Sequence, residues 1–221
     1  IRPFMFASDE FIGVRASETY KFIIFCLPVG PYYNRPVSLL AEKKYIRAAH
    51  GGVGEAKTAG NYAASLFPAQ LARKKGFDQV MWLDAKEFKY IQEVGTMNIF
   101  FVFEDKVVTP ATTGTILKGI TRDSLITLMK DKGIHVEERL ISTDEIIEAY
   151  KNGYLIEVFG SGTAAVIANV DRIQIDDELM TFDETKWTLS KSLKDEIDSI
   201  RNGTVNDPHN WIVPVNQAVM V

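Results

Sequence analysis

Lys57 closes the stretch Gly51-Gly52-Val53-Gly54-Glu55-Ala56-Lys57-Thr58, and Asn61-Tyr62 follow at the start of an expected helix. A lysine beyond a glycine-rich loop is ordinarily a solvated surface charge. It turns into a nucleophile or a base when desolvation or nearby cations leave part of it neutral at working pH. The functional reading is therefore Schiff-base chemistry against a buried electrophile. Arg47 stands ten positions earlier, and a guanidinium suits bidentate phosphate binding. The turns Gly119-Ile120-Thr121 and Gly162-Thr163-Ala164 offer backbone N–H groups to an anion. Together these parts suit a phosphorylated cofactor bearing a carbonyl, such as pyridoxal phosphate. On their own they are a weak composite, because a Lys, an Arg and two Gly turns occur in many chains.

Other chemistries fit less well. Gly51 to Thr58 has the spacing of a nucleotide phosphate loop, but Ala56 stands where that loop needs Gly before its Lys, and the methyl would crowd the phosphates. A Gly-x-Ser-x-Gly elbow is absent, and Ser161 between two glycines reads as structural. His50, His135 and His209 are far apart and accompany one cysteine, so no metal site is expected. That cysteine, Cys26, sits in the apolar run Phe22 to Leu27 and reads as core filler. It cannot form a disulfide within the chain, which suits a reducing cytoplasm.

Composition narrows the class. Twenty-five Lys+Arg against 29 Asp+Glu give a net charge of −4, with 46% hydrophobic and 24% charged residues over 221 positions. Such a chain has apolar content enough to fold and is not basic enough to wrap nucleic acid. No run approaches the ~20 apolar residues of a membrane span. The opening Ile1-Arg2-Pro3 does not read as a secretory signal, and it lacks an initiator Met.

The elements that must position these residues alternate. Tyr20 to Leu27 reads as a buried strand ended by Pro28, and Pro36 to Arg47 as an extended segment. Gly51, Gly52 and Gly54 require unusual backbone angles or a close approach. Ala59 to Lys75 reads as a helix with Tyr62, Leu66 and Leu71 near one face, although Pro68 argues against an unbroken one. Gln79 to Leu83 and Asn98 to Phe103 are expected buried strands. Further expected are a helix over Arg122 to Lys132 and a strand over Val136 to Leu140. Ser142-x-x-Glu145 is a capping box that opens a helix through Lys151, stopped by Gly153. Phe159 to Thr163 reads as a glycine-rich turn before Ala164 to Val170, and Leu189 to Arg201 as an amphipathic helix. The class is α/β or α+β.

Four segments resemble the branched-chain amino acid aminotransferases, within the fold type IV group of pyridoxal-phosphate enzymes. They are Tyr45-Ile46-Arg47-Ala48 through Gly51 to Tyr62; Glu93-Val94-Gly95-Thr96-Met97-Asn98; Leu117-Lys118-Gly119-Ile120-Thr121-Arg122; and Phe159-Gly160-Ser161-Gly162-Thr163-Ala164. Ile1-Arg2-Pro3, Pro28 to Tyr32 and Trp211-Ile212-Val213-Pro214-Val215 are similar too. The resemblance runs end to end, in order.

It implies an α+β chain: residues 1–34 as the tail end of a smaller N-terminal α/β domain with its link, and residues 35–221 as the large cofactor-binding domain. By resemblance Lys57 would hold pyridoxal 5'-phosphate covalently, then move the proton between the substrate Cα and the cofactor C4′. Glu93 would pair with the pyridine nitrogen, Tyr62 would donate to the phenolate oxygen, and Arg47, Ile120, Thr121 and Thr163 would hold the phosphate. The backbone N–H groups of Thr163 and Ala164 would meet the substrate carboxylate, with Arg2, Tyr32 and Thr96 also on the substrate. Ile12 and Val14 would reach the neighbouring subunit's site in a homodimer. The implied reaction is amino transfer between Leu, Ile or Val and 2-oxoglutarate, in the cytoplasm. The partners are small amino and 2-oxo acids, with no nucleic acid and no membrane.

The family pattern also implies a region ahead of Ile1, with a Tyr and a second phosphate-binding Arg; a polypeptide starting at Ile1 would turn over weakly or not at all. Ala165 and Ala168 stand where some animal relatives carry a redox Cys-x-x-Cys pair, so thiol regulation of that kind is not expected. Alternatives are a D-amino acid aminotransferase or an aminodeoxychorismate lyase of the same fold, or an inactive large-domain fragment. Arg2, Thr96 and the segment Val94 to Asn98 favour the branched-chain reading.

Overall fold

The computed structural model describes residues 1–214, so Val215 of the closing segment lies outside the described residues. The chain divides into two compact units, Ile1–Tyr32 and a second beginning at Tyr33.

In the first unit, β1 (Arg2–Ala7) and β2 (Tyr20–Phe25) form an antiparallel pair, with Arg2 opposite Phe25 and Ala7 opposite Tyr20. Asp9 closes the intervening loop by accepting from the backbone N–H groups of Glu18 and Thr19, from the Thr19 hydroxyl and from Arg15. The strand over Tyr20 to Phe25 is present, but it is not buried. Every residue of both strands is exposed, because a two-stranded sheet has two faces and nothing in this unit covers either. Cys26 is exposed for the same reason, and its reading as core filler is corrected.

The second unit is α+β. Its sheet runs β5 (Ile91–Val94), β4 (Gln79–Leu83), β3 (Val37–Glu42), β10 (Val166–Ile175), β9 (Leu155–Gly162), β6 (Asn98–Phe103), β7 (Val107–Pro110), β8 (Val136–Arg139), with β11 (Glu178–Thr181) also on β10. The pairs β3–β4, β3–β10 and β7–β8 are parallel and the rest antiparallel. Two of the parallel pairs are closed by helices. Helix α1 (Ala59–Lys74) carries the chain from β3 to β4, and α2 (Ile120–Asp131) carries it from β7 to β8. This is the crossover that parallel strands require. Strand β10 joins the halves, pairing with β9 through Val166 to Asn169 and with β3 through Val170 to Gln174.

Burial follows the sheet. Phe100 and Phe159 stack across β6 and β9 with ring centroids 5.0 Å apart and belong to a cluster with Leu125 and Met129 of α2 and Leu193 and Ile197 of α4 (Leu189–Arg201). A larger cluster around Leu39, Met81, Ile99, Phe101 and Ile173 fills the other side. Helix α3 (Thr143–Lys151) is capped as its sequence predicts: the Ser142 hydroxyl accepts from the Glu145 N–H at 3.1 Å. Thr188 does not cap α4. The buried Glu157 carboxylate of β9 accepts from the N–H groups of Thr188 and Ser190 instead, at 2.9 and 2.6 Å.

Several sequence expectations shift. The extended segment stops at Glu42 rather than Arg47, because the Glu42 carboxylate accepts from the N–H groups of Lys44 and Tyr45 and turns the chain. Helix α1 continues through Pro68, and its buried face is Asn61, Pro68 and Ala72, while Leu66 is 70% exposed. Ala72 packs on Val80 and Trp82, so small residues let the helix lie close to the sheet. Gly160 to Gly162 are the end of β9 rather than a turn, which falls at residues 163–165. Gly160 and Gly162 sit against Met97.

Candidate active site

Three loops at the ends of these strands meet around one carboxylate. Glu93 is the third residue of the fully buried β5, and its side chain is only 3% exposed. Its Oε1 accepts from the Leu117 N–H at 2.7 Å and from the Asn98 amide at 3.4 Å. Its Oε2 pairs with Arg47 Nε at 2.7 Å. Burial pushes the Glu93 pKa up to about 7, against the pull of Arg47, the Leu117 N–H and the Lys57 charge. For this carboxylate the cost of burial outweighs those favourable contacts, which brings its titration toward neutral pH.

Arg47 ties the loops together. Its Nη1 donates to the carbonyls of Thr115 at 2.8 Å and Gly54 at 3.2 Å, and its Nη2 also donates to Gly54. Gly54 must be glycine: a Cβ there would lie 2.5 Å from the Ala48 methyl and 2.7 Å from the Thr115 carbonyl oxygen. The close approach expected of this glycine is thus the packing of the Lys57 loop on the loop before α2. Asn61, the buried third residue of α1, donates to the carbonyls of Val53 and Ala56 at 2.8 and 2.9 Å. That fixes the loop immediately ahead of Lys57.

A narrow cleft, with a cavity volume of only about 10 Å³, opens over this cluster, lined by Arg47, Asn61, Tyr62, Ser65, Glu93, Gly95, Thr96 and Leu117. Of the expected site residues, Arg47, Tyr62, Glu93 and Thr96 line it. Lys57 is exposed at the N-terminal edge of α1, near enough to Glu93 for its charge to be felt there. Ile120 and Thr121 are the first residues of α2, whose N-terminus has no side-chain cap, leaving first-turn N–H groups for an anion. They follow Leu117, which is bonded to Glu93. Thr163 and Ala164 form the exposed turn after β9. Gly162, just before them, has its Cβ direction 3.6 Å from Met97 Cγ and 4.0 Å from the Thr96 carbonyl, which sets that turn beside Thr96. Arg2, Ile12, Val14 and Tyr32 all belong to the first unit, where they are exposed.

Asn61 and Asn98 have no role in the sequence reading. A buried Asn opening an otherwise apolar strand, as Asn98 opens β6, is the signal that marked one of them. Among the described residues no group of three His, Cys, Asp or Glu is placed to hold a metal. No helix there is long and apolar enough to cross a membrane.

Comparison with known proteins places this arrangement. Residues 1–173 match the amino-transferase class IV family. The chain is 49% identical over 219 residues to branched-chain-amino-acid aminotransferase 2 of Bacillus subtilis (strain 168), and 50% identical over 220 residues to a probable branched-chain-amino-acid aminotransferase of Staphylococcus aureus (strain MRSA252). Each match covers 97% of this chain, but only 60% and 62% of the relatives, so the chain spans about three fifths of their length. The crystal structure of the Escherichia coli branched-chain amino acid aminotransferase superposes with a TM-score of 0.81 at 30% identity, over 97% of this chain and 69% of that one. The T.th. branched-chain amino acid aminotransferase, solved in complex with N-(5'-phosphopyridoxyl)-L-glutamate, gives 0.69 at 26% identity over 82% and 57%. With a family match over residues 1–173 and the fold type IV architecture in common, the chain belongs to the class IV aminotransferases.

Proposed function

We propose that this chain provides the cofactor-binding part of a pyridoxal-phosphate-dependent transaminase, exchanging amino groups between Leu, Ile or Val and 2-oxoglutarate. The observation that carries this reading is the buried Glu93 carboxylate under a cleft shared with Arg47, Tyr62 and Thr96, within electrostatic reach of Lys57. That set fits pyridoxal phosphate: a carboxylate for a basic ring nitrogen, a phenol for the ring oxygen, an amine for the carbonyl carbon, and the uncapped start of α2 for a phosphate. When bound, this cofactor supplies a sink for charge developing at the substrate Cα.

The residues divide the rest of the work. Glu93 would keep a proton at the ring nitrogen of the bound cofactor. Lys57 would serve as the base for the substrate Cα proton and as the acid that returns it at C4′. Tyr62 donates to the ring oxygen and orients the ring. The N–H groups of Ile120 and Thr121, with Thr163, hold the phosphate. The N–H groups of Thr163 and Ala164 take the substrate carboxylate, with Thr96 alongside. By the resemblance Arg2 and Tyr32 serve the substrate, and residues 1–34 belong to the smaller domain and its link. We assign the protein to a cytoplasmic homodimer in which Ile12 and Val14 reach the partner's site; a single cysteine in the chain suits that compartment.

The test is to supply the purified chain with pyridoxal phosphate, look for its bound visible or near-ultraviolet band, and reduce with borohydride. Peptide mapping should then find the cofactor on Lys57, and Lys57→Ala should abolish the label together with whatever amino transfer from leucine to 2-oxoglutarate the unmodified chain shows. No bound band in the cofactor-supplied chain, or transfer that survives in Lys57→Ala, would overturn the reading.

A further inference from the structure

We infer that Arg47 is a positioning residue for Glu93 and the Lys57 loop, and not the arginine that grips the cofactor phosphate. The inference rests on the proposed function above and refines it. A guanidinium has five N–H groups. Arg47 already makes three hydrogen bonds to main-chain carbonyls, from Nη1 to Thr115 and Gly54 and from Nη2 to Gly54, while its Nε lies 2.7 Å from Glu93 Oε2 in an ion pair. The Arg47 side chain is 9% exposed. Turning it to a phosphate would abandon the carbonyls of Gly54 and Thr115 at the point where Gly54 packs against Thr115, and take from the buried Glu93 carboxylate the cation 2.7 Å away.

The anion-binding groups lie elsewhere. The uncapped N-terminus of α2 begins three residues beyond Leu117, whose N–H is itself on Glu93 Oε1. Asn98 locks that junction: its Nδ2 donates to the Leu117 carbonyl at 2.9 Å, and its Oδ1 would be only 2.2 Å from a Cβ on Gly119, the residue before the helix. Glu93 is therefore held from one side by Arg47 and from the other by the segment that delivers the phosphate-binding N–H groups. The charged groups acting on it are Arg47 and Lys57; Tyr62 is the other titratable group in the cleft, and Asn98 and the Leu117 N–H are neutral.

The two roles for Arg47 separate by measuring affinity for pyridoxal phosphate and for pyridoxal, which lacks the phosphate. The titrations use the unmodified chain, Arg47→Gln and Arg47→Lys. As a positioning residue, Arg47→Gln should weaken both ligands together, by about tenfold or more, and leave the ratio of the two affinities within about twofold. Arg47→Lys, which keeps the charge but not the fork, should fall between. A loss confined to pyridoxal phosphate, with pyridoxal binding unchanged, would mark Arg47 as a phosphate ligand and overturn the inference, as would no change in either.

A second measurement does not depend on cofactor. In the unloaded chain, the Glu93 carboxyl titration followed by carbon NMR should move to higher pH in Arg47→Gln and return toward its place in Arg47→Lys. An unmoved titration overturns the pairing. Should the unmodified chain bind neither ligand, the transaminase reading fails by itself, and this titration still decides what Arg47 does.

Discussion

Glu93 gives the sharpest test of the electrostatics of this cleft. Its pKa is raised from 4.5 to about 7 in the folded chain, so between those values the folded state binds a proton that the unfolded state has released. Stability from this group is full below about 4.5 and is lost as pH rises through about 7. One pKa unit corresponds to about 1.4 kcal/mol, and the gap between the two values therefore to about 3 kcal/mol. The perturbation is Glu93→Gln, which keeps the shape and removes the titration. Urea unfolding of the unloaded chain and of the variant, compared at each pH from about 5 to 8, cancels every other titrating group. The unmodified chain should lose most of that ~3 kcal/mol relative to Glu93→Gln across this range, with a plateau above neutral pH. Adding pyridoxal phosphate should flatten the slope, because a cationic ring nitrogen would keep Glu93 ionised. A difference that does not vary with pH, or one that grows in favour of the unmodified chain at high pH, would refute the reasoning.

Other perturbations test the frame around the cleft. Gly54→Ala places a methyl within 2.7 Å of the Thr115 carbonyl; it should destabilise by about 1–3 kcal/mol, read by thermal unfolding, and weaken cofactor binding because the Lys57 loop must move. Glu157→Ala removes the acceptor for two N–H groups at the start of α4 and should cost about 1–3 kcal/mol, with hydrogen exchange rising first in residues 188–192. Ser142→Ala removes the α3 cap and should cost about 1 kcal/mol by urea unfolding, with no effect on cofactor affinity. Burial pushes the Asp84 pKa up, but the N–H groups of Lys86, Glu87, Lys89 and Tyr90, from which its carboxylate accepts, together outweigh burial and hold it below the ordinary value. Its contribution is present above that value and lost as pH falls, so Asp84→Asn should flatten the acid limb of the stability profile.

The sequence determined more of this protein than its weak local motifs suggest. Strands β4 and β6 and helix α4 stand at the bounds their apolar patterns predict, because period and length are local properties. The capping box at Ser142 worked for the same reason. Segments resembling one family in unbroken order carried the family membership, where a Lys, an Arg and two glycine turns did not. Tertiary structure decided what local pattern could not. Whether an apolar strand is buried depends on what lies across it, so β2 and Cys26 read as core and stand exposed. Whether a glycine turn is a turn depends on its partner strand, and Gly160 to Gly162 pair with β6 and β10 as sheet. The roles of Arg47, Asn61 and Asn98 were least legible, because each spans segments distant in sequence or bonds to backbone carbonyls that carry no residue signature. Hydrogen bonds to the main chain leave no trace in a sequence pattern; only the folded chain brings Glu93, Gly54 and Thr115 around one guanidinium.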